Sequence, residues 1–245
     1  MFIGAFNGSE GIVLQSCKII ANEKVVYAVT ATRNAKELYI ADCTFEGPLK
    51  WPRSNYPKDK LGKTDVTDIR GIVVSGLGHV ICNNRLNGFG DGIDTAKGSP
   101  ECACIDINDN DISNMVDDGI ELDESIRNVR CWGNRITNAH CGISCQPVLG
   151  GPVYIFRNVM YNIVYTPFKL HNSPSGVLAF HNTSVKAGMP FENAAPKSTV
   201  RNSIFRNNLF IGTEAPYAME MGSPMVNCDF DYDGFAGGPF ARFLK

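Results

Sequence analysis

Short runs of alternating apolar and polar residues recur along the chain, and an asparagine follows most of them at a nearly constant spacing. The intervals between these asparagines are 26, 24, 24, 24 and 26 residues. They are Asn84, Asn110, Asn134, Asn158, Asn182 and Asn208. Alternation with period two is typical of β-strands. A repeat of roughly 20–50 residues indicates a solenoid, and short β-branched strands exclude a helical one.

Cysteine stands in the same slot at Cys17, Cys43 and Cys228, which extends the repeat to about nine coils. A second motif shares the period, and we expect it to open the first strand of each coil. Its copies are Glu10-Gly11-Ile12, Arg70-Gly71-Ile72, Asp91-Gly92-Ile93, Asp118-Gly119-Ile120, Cys141-Gly142-Ile143, Thr166-Pro167-Phe168 and Met189-Pro190-Phe191. The two repeats predict an all-β chain, a single right-handed parallel β-helix that spans residues 1–245 as one domain.

The repeated asparagines are expected to be structural, because stacked amides satisfy one another's hydrogen bonds in a buried row. The cysteines follow the same logic and are expected to be reduced packing residues. Cys131 and Cys145 point inward by strand parity, and no disulfide is expected among these two and Cys17, Cys43 and Cys228. Cys102 and Cys104 alone make a poor zinc site, so no metal site is assigned.

One coil carries an insert, because Cys43 and Asn84 are 41 residues apart. The extra residues, about 46–69, enter at the turn that leads into the strand at Arg70. This insert holds Trp51 and Tyr56 among several lysines and arginines. Such a loop suits a sugar chain with negative groups, through stacking and charge. A plain solvated surface loop is the alternative.

Composition excludes several partners. The net charge is −2, so no basic field points to nucleic acid. No apolar stretch is long enough to span a membrane. A signal peptide is absent or was removed. Solenoids need polar caps, and none is evident, so we expect either that the chain is a fragment or that its uncapped ends self-associate with another chain.

Strand alternation predicts which side chains of the first strands face outward. Ile120 and Leu122 point inward, so Glu121 and Asp123 point outward. Applied to each coil, the register gives two outward columns: Asp94, Glu121, Ser144, Lys169 and Glu192, and Ala96, Asp123, Gln146, His171 and Ala194. Asp91, Asp117, Asp118 and His140 stand where the strands begin. Because adjacent strands lie about 4.8 Å apart, these groups should form one compact patch.

The order of these motifs resembles polygalacturonase-type glycoside hydrolases, members of the pectin-lyase-like β-helix superfamily. Those enzymes carry Asn-Thr-Asp, Asp-Asp, Gly-His-Gly and Arg-X-Lys on successive first strands. This chain has Gly90-Asp91-Gly92, then Asp117-Asp118-Gly119, then His140-Cys141-Gly142, then Pro167-Phe168-Lys169. It departs from the family pattern at Phe89-Gly90, in the position of His140 and at Pro167.

The resemblance implies an enzyme that hydrolyses an acidic, uronate-containing polysaccharide in a groove on the first sheet. By carry-over, Asp91, Asp117 and Asp118 would be catalytic, with Asp117 as the general acid, and Lys169 would bind substrate. The other expected substrate-binding residues are Asp94, Glu121, Asp123, His140, His171, Trp51 and Tyr56. This activity implies a secreted or periplasmic location. It needs no cofactor.

Two other classes of function fit the same residues. A polysaccharide lyase or epimerase would use Lys169, His171 or Arg135 as base, with calcium held by Asp94, Glu121 and Asp123. A non-catalytic carbohydrate-binding or structural module would leave the acids solvated, with the Asp-Gly pairs acting as ordinary turn formers. The sequence leaves all three open.

Overall fold

The computed structural model describes residues 4–55, 68–95, 102–213, 215–238 and 241–243. Within these residues the chain forms short strands joined by turns, and its one helical element is a 3-10 turn at Arg53–Asn55. No helix in this part of the chain has the length and apolarity needed to cross a bilayer. The strands, numbered in chain order, are β1 (Val13–Gln15), β2 (Lys18–Ile20), β3 (Tyr27–Lys36), β4 (Tyr39–Ala41), β5 (Thr44–Glu46), β6 (Arg70–Leu77), β7 (Val80–Cys82), β8 (Arg85–Asn87), β9 (Ile93–Thr95), β10 (Cys102–Ala103), β11 (Asp106–Asn108), β12 (Asp111–Ser113), β13 (Asp118–Glu121), β14 (Val129–Trp132), β15 (Arg135–Ala139), β16 (Cys141–Ser144), β17 (Leu149–Phe156), β18 (Val159–Ile163), β19 (Phe168–Lys169), β20 (Ser175–Phe180), β21 (Thr183–Val185), β22 (Phe191–Asn193), β23 (Val200–Arg201), β24 (Ile204–Arg206), β25 (Leu209–Ile211), β26 (Met219–Met221), β27 (Met225–Val226), β28 (Asp229–Asp231), β29 (Gly234–Ala236) and β30 (Ala241–Phe243).

The strands stack into parallel sheets, as predicted for a β-solenoid. The first sheet contains β10-β6-β9-β13-β16-β19 with β3 beside β6, and the second runs from β1 to β27 with β24 and β28 alongside. The third sheet has nine strands, in the order β2-β5-β8-β12-β15-β18-β21-β25-β29. A short sheet, β22-β26-β30, lies near the C-terminal end. Nine stacked strands mean eight full turns of the chain, which confirms the predicted parallel β-solenoid.

A column of apolar side chains fills the interior behind the first sheet. Ile72 pairs with Ile93, Ile93 with Ile120, Ile120 with Ile143, and Ile143 with Phe168. All five side chains are fully buried. The second repeat of the sequence therefore sets the register of the first sheet over five consecutive coils.

The asparagine column forms a continuous buried ladder at the turn before the third sheet. The side-chain amide of Asn84 donates to Asn110 Oδ1 at 3.0 Å, and that of Asn110 donates to Asn134 Oδ1 at 2.9 Å. The same pattern continues through Asn158 and Asn182 to Asn208. Each amide also donates to a main-chain carbonyl, such as that of Ile107 for Asn134. The predicted structural role of these asparagines is confirmed.

A residue with positive φ stands immediately before every rung of this ladder. Asn83 and Asp109 both have φ of 55°, and Gly133 has φ of 66°. Asn, Asp and Gly tolerate this left-handed conformation best, because other side chains crowd the following carbonyl. The complete set is Ser16, Asp42, Asn83, Asp109, Gly133, Arg157, His181, Asn207 and Tyr232. The turn that presents each rung thus has one conformation along the solenoid.

Two predicted ladder members lie elsewhere. Cys228 precedes β28, a strand that pairs with β24 beside the second sheet. Asp233 takes the expected slot instead and accepts the Asn208 amide at 2.9 Å. A carboxylate suffices there, because the last rung only has to accept a hydrogen bond.

The first copy of the second motif, Glu10-Gly11-Ile12, also lies outside the first sheet. The Ile12 carbonyl accepts the Tyr39 N–H just before the second sheet. An X-Gly-Ile turn fits the corner before either sheet, so the motif alone does not distinguish them.

Apart from Cys228, which lies outside the ladder, and Cys104, which is exposed, the cysteines lie where the sequence predicted packing residues. All nine are free thiols, and Cys131 and Cys145 are fully buried. Cys17 and Cys43 occupy the first two ladder slots, where the Cys43 N–H donates to Asn84 Oδ1 at 3.0 Å. A thiol is accepted at this end because it packs as a small hydrophobe.

Asn134→Ala should lower the free energy of unfolding by about 3 kcal/mol. The substitution removes the acceptor of the buried Asn110 main-chain N–H, one of the two acceptors of the Asn110 side-chain amide and the amide bond to the Ile107 carbonyl, at about 1–3 kcal/mol for a buried group left unpaired. Urea denaturation checks the change, with Thr183→Ala on the outer face as the control, expected within about 0.5 kcal/mol of the parent. Equal stabilities for the two variants would contradict a ladder that holds the coils together.

His79 is a fully buried histidine with both ring nitrogens engaged. Its Nδ1 accepts the Leu38 N–H at 3.2 Å, and its Nε2 lies 3.2 Å from the Ser75 carbonyl. Burial lowers the pKa of the ring. Acceptance at Nδ1 and donation from Nε2 require the neutral form, so a proton added to Nδ1 would break the bond to Leu38.

The cost of His79→Gln should therefore shrink as the solution becomes more acidic. Below the unfolded pKa of about 6.5, the unfolded chain takes up a proton at this histidine that the folded chain does not. As the pH falls from about 6.5 toward the lowered pKa of the folded protein, the contribution of His79 to the free energy of unfolding decreases by up to about 1.4 kcal/mol per pH unit. Denaturation at several pH values measures it. His181→Gln, at an exposed ring, is the control for the loss of an imidazole.

Candidate active site on the first sheet

The register of the first sheet brings the predicted outward column together. Asp94 pairs with Glu121, Glu121 with Ser144, and Ser144 with Lys169. Glu192 lies apart, in the C-terminal sheet, opposite Glu220. The column is therefore continuous over four coils.

The carboxylates of the first sheet and of its strand entrances are much less exposed than strand parity suggested. Asp118 is 0% exposed and Asp91 is 4% exposed. Asp94 and Asp123 are also buried. Strand parity predicts the direction in which these side chains point, but it does not show whether other side chains bury them. Two long cationic side chains, Arg70 and Lys169, instead partner the carboxylates and shield them from water.

Arg70 joins three carboxylates from the two coils that follow its own. It lies at the start of β6, one coil before Asp91. Its Nε is 3.2 Å from Asp91 Oδ2, its Nη1 is hydrogen-bonded to Asp94, and the same Nη1 is 3.7 Å from Glu121 Oε2. The sequence pattern identified Arg70 only as a strand opener. The signal was present, because Arg70 occupies the slot that holds Asp91 in the next coil.

Lys169 reaches across the sheet to Asp118. Its ammonium is ion-paired with Asp118 Oδ2, while Asp118 Oδ1 has no hydrogen-bond partner among the described atoms. The main-chain N–H of Asp118 donates to Asp91 Oδ1 at 3.0 Å, which ties the two aspartates together. Direct binding of substrate by Lys169 stays a prediction.

Burial and mutual repulsion control ionisation in this cluster. Burial, with the charges of Asp117 and Asp118, raises the pKa of Asp91 well above its usual range. Burial likewise raises the pKa of Glu121 well above normal, and that of Asp123 to about 7. Burial also acts on Asp118, but the Lys169 ammonium outweighs it and lowers the pKa of that carboxyl. The cluster therefore places carboxyls whose protonation is favoured beside Asp118, whose ionised form is favoured.

Asp123 is held from the next coil. Its Oδ1 accepts the Ser144 hydroxyl at 2.9 Å and the Gln146 N–H at 2.6 Å. Thr95 closes this side of the cluster, because its hydroxyl lies 2.9 Å from the Asp123 carbonyl. The bonds from Ser144 and Gln146 orient the Asp123 carboxyl, and its contact with a substrate stays a prediction.

The rim of the cluster is more open. Asp117, His140 and His171 are all half-buried. The His140 ring stacks on Tyr165 with centroids 6.0 Å apart, and His171 meets the edge of Tyr165 at 6.4 Å. Burial lowers the pKa of His171. Tyr165 was missed in the sequence because it lies in a turn outside both repeats. It links the two histidines into one aromatic rim.

The insert is only partly described. Trp51 is half-buried, and its carbonyl accepts the Asn55 side-chain amide at 3.0 Å. Leu49 anchors the start of the insert by donating to the Gly88 carbonyl at 2.9 Å. Tyr56 lies outside the described residues. The contact of Trp51 with a substrate stays a prediction.

A calcium ion fits the buried cluster poorly. Oxygens of Asp91, Asp118 and Glu121 lie within 4.8 Å of one another. However, Arg70 is ion-paired with Asp91 and lies near Glu121, and Lys169 is ion-paired with Asp118, so a divalent cation would compete with both side chains. The cluster is built as an ion-paired carboxyl network.

No protein-family model, curated protein or solved structure matches this chain. The fold is a parallel β-solenoid, which does not by itself indicate a function. The chemistry of the site is therefore inferred from its side chains.

Lys169→Met should destabilise the fold by about 3–5 kcal/mol, because it leaves the Asp118 carboxylate buried and unpaired. The double variant Asp118→Asn/Lys169→Met should lose less than half as much, since both charges are gone. Denaturant melts of the parent, both single variants and the double variant give the coupling energy. If the stability losses of the two single variants add up to the loss of the double variant, Asp118 and Lys169 are not energetically coupled.

Proposed function

We propose that this protein hydrolyses glycosidic bonds in an acidic, uronate-containing polysaccharide, using carboxyl groups of the first sheet as acid and base. The observation that carries the proposal is the placement of Asp91, Asp117 and Asp118 where two neighbouring strands begin. Asp117 is half-buried at the rim, Asp91 lies behind it, and Asp118 is fully enclosed. Glycoside hydrolysis requires one carboxyl that keeps a proton and one that is ionised.

The environment of each group supports a division of roles. Asp91 sits among Asp117 and Asp118, whose charges oppose its ionisation, so we assign it the proton donated to the leaving oxygen. Asp117 is the most open of the three and is assigned the activation of water. Asp118, paired with Lys169, is a positioning residue that keeps a negative charge behind Asp91. This reverses the role of Asp117 expected from the sequence, where burial was not visible.

The acidic character of the substrate is supported by the cations at the site. Arg70 keeps 26% of its side chain exposed, and Lys169 keeps 13%. Both are held in place by carboxylates, so their orientation costs little when a sugar carboxylate binds. Tyr165, between His140 and His171, supplies an aromatic face for a sugar ring.

The same cations favour hydrolysis over calcium-dependent elimination. A lyase must neutralise the uronate carboxylate beside the carbon that loses a proton. In this cluster Arg70 and Lys169 are already ion-paired with carboxylates that would otherwise be available to calcium. A water-activating carboxylate fits these residues better than a metal-assisted base.

A panel of uronate and neutral polysaccharides, assayed with and without calcium, tests the proposal. We expect new reducing ends without calcium and without the ultraviolet absorbance of an unsaturated uronide. That absorbance, dependent on calcium, would indicate a lyase. An epimerase would change the sugar composition without shortening the chain. Binding without cleavage on every polymer would indicate a carbohydrate-binding module and would overturn the hydrolase.

On a cleaved polymer, Asp91→Asn and Asp117→Asn should each lower kcat by at least about 100-fold, since each removes a proton-transfer group. Asp109→Asn is the matched control, because Asp109 is exposed at a turn outside the first sheet. It should keep the parental kcat. If either active-site variant keeps the parental kcat, the substituted residue has no catalytic role and only forms the turn.

A further inference from the structure

A second, chemically different group lies beside the carboxyl cluster. It consists of the Asp117 carboxylate, the His140 imidazole and the Cys141 thiol. One ligand atom from each lies within 4.8 Å of those of the other two. Cys141 pairs with Asp118 across neighbouring strands, so the register of the solenoid holds the three together.

An independent observation points to a cation at this place. Asp118 is fully buried, and its Oδ1 has no hydrogen-bond partner in the described part of the chain. The Cys141 thiol is within hydrogen-bonding reach of this carboxylate, whose other oxygen, Oδ2, is ion-paired with Lys169. A buried oxygen without a partner costs about 1–3 kcal/mol, and more when the group is charged. A positive ion among Asp117, His140 and Cys141 would relieve that cost.

The mixture of donors selects the metal. Thiolate and imidazole favour zinc, whereas calcium and magnesium prefer oxygen ligands. Zinc bonds to sulfur, nitrogen and oxygen are about 2.0–2.3 Å long, so the ligand atoms must move closer together by side-chain rotation. Asp117 and His140 are half-buried at the rim, where such rotation is possible. Packing on Tyr165 orients the His140 ring.

We propose that Asp117, His140 and Cys141 bind a zinc ion, with Asp118 as a positioning residue in contact with the thiol. Three protein ligands leave a fourth position open to water at the rim. Zinc binding itself does not rest on the proposed hydrolysis. If both hold, bound zinc occupies Asp117 and blocks turnover, so the metal acts as an inhibitor.

Cobalt replaces zinc as a spectroscopic probe in the test. The chelator-treated full chain is titrated with Co²⁺, and we expect a thiolate-to-metal charge-transfer band with the visible absorption of tetrahedral cobalt, which Zn²⁺ abolishes. Competition with a zinc indicator then measures zinc affinity. Cys141→Ser and His140→Gln should lose the band and weaken zinc binding by more than about 100-fold, beyond the 10–100-fold typical of outer-shell changes.

Two matched variants control for the other thiols and imidazoles. Cys104→Ser and His181→Gln alter exposed residues away from this group and should keep both the band and the affinity. If Cys141→Ser fails to fold, His140→Gln and Asp117→Asn decide, because their side chains are only half-buried. Absence of the band in the parent at stoichiometric cobalt would overturn the proposal. So would a band that survives in both Cys141→Ser and His140→Gln.

Discussion

The hydrogen bond from one asparagine amide to the next is the interaction on which the rest of this structure depends. A solenoid must repeat the path of its backbone, and any drift between coils would move every strand out of register. Each rung fixes that path from inside, because Asn134 Oδ1 accepts both the main-chain N–H and the side-chain amide of Asn110. The two bonds define where the following strand begins, and with it which side chains of that coil face inward.

Stacking of this kind also creates the electrostatic problem at the first sheet. Strands about 4.8 Å apart bring Asp94 and Glu121 directly opposite each other, where like charges repel. Arg70 and Lys169 offset this repulsion, and burial raises the pKa of Asp91 and Glu121, which favours their protonated forms. A carboxyl whose pKa is raised in this way is suited to proton transfer near neutral pH. The regularity of the fold and the chemistry of the site therefore have one origin.

Sequence alone was sufficient for the register but not for burial. Period and alternation located Ile72 to Phe168 in the core and aligned Asp94 with Lys169, because these follow from backbone geometry. They could not show that Asp118 is enclosed, since that depends on the length and direction of a lysine two coils away. Arg70 was overlooked for the same reason. Cys228 was misplaced because spacing alone does not distinguish two corners of one coil, whereas the acceptor requirement at Asp233 does.

The ladder also has a direction. Every inner amide donates toward the C-terminal side, and the main-chain N–H groups confirm the orientation by sharing the same acceptors. Any coil between Asn84 and Asn208 both donates and accepts, so copies of such a coil are interchangeable, and duplication of one would preserve every bond. Asp233 differs because a carboxylate accepts without donating. A coil can thus be duplicated anywhere within the ladder without loss of a hydrogen bond. The ladder ends at Asp233, whose carboxylate cannot donate to a further rung.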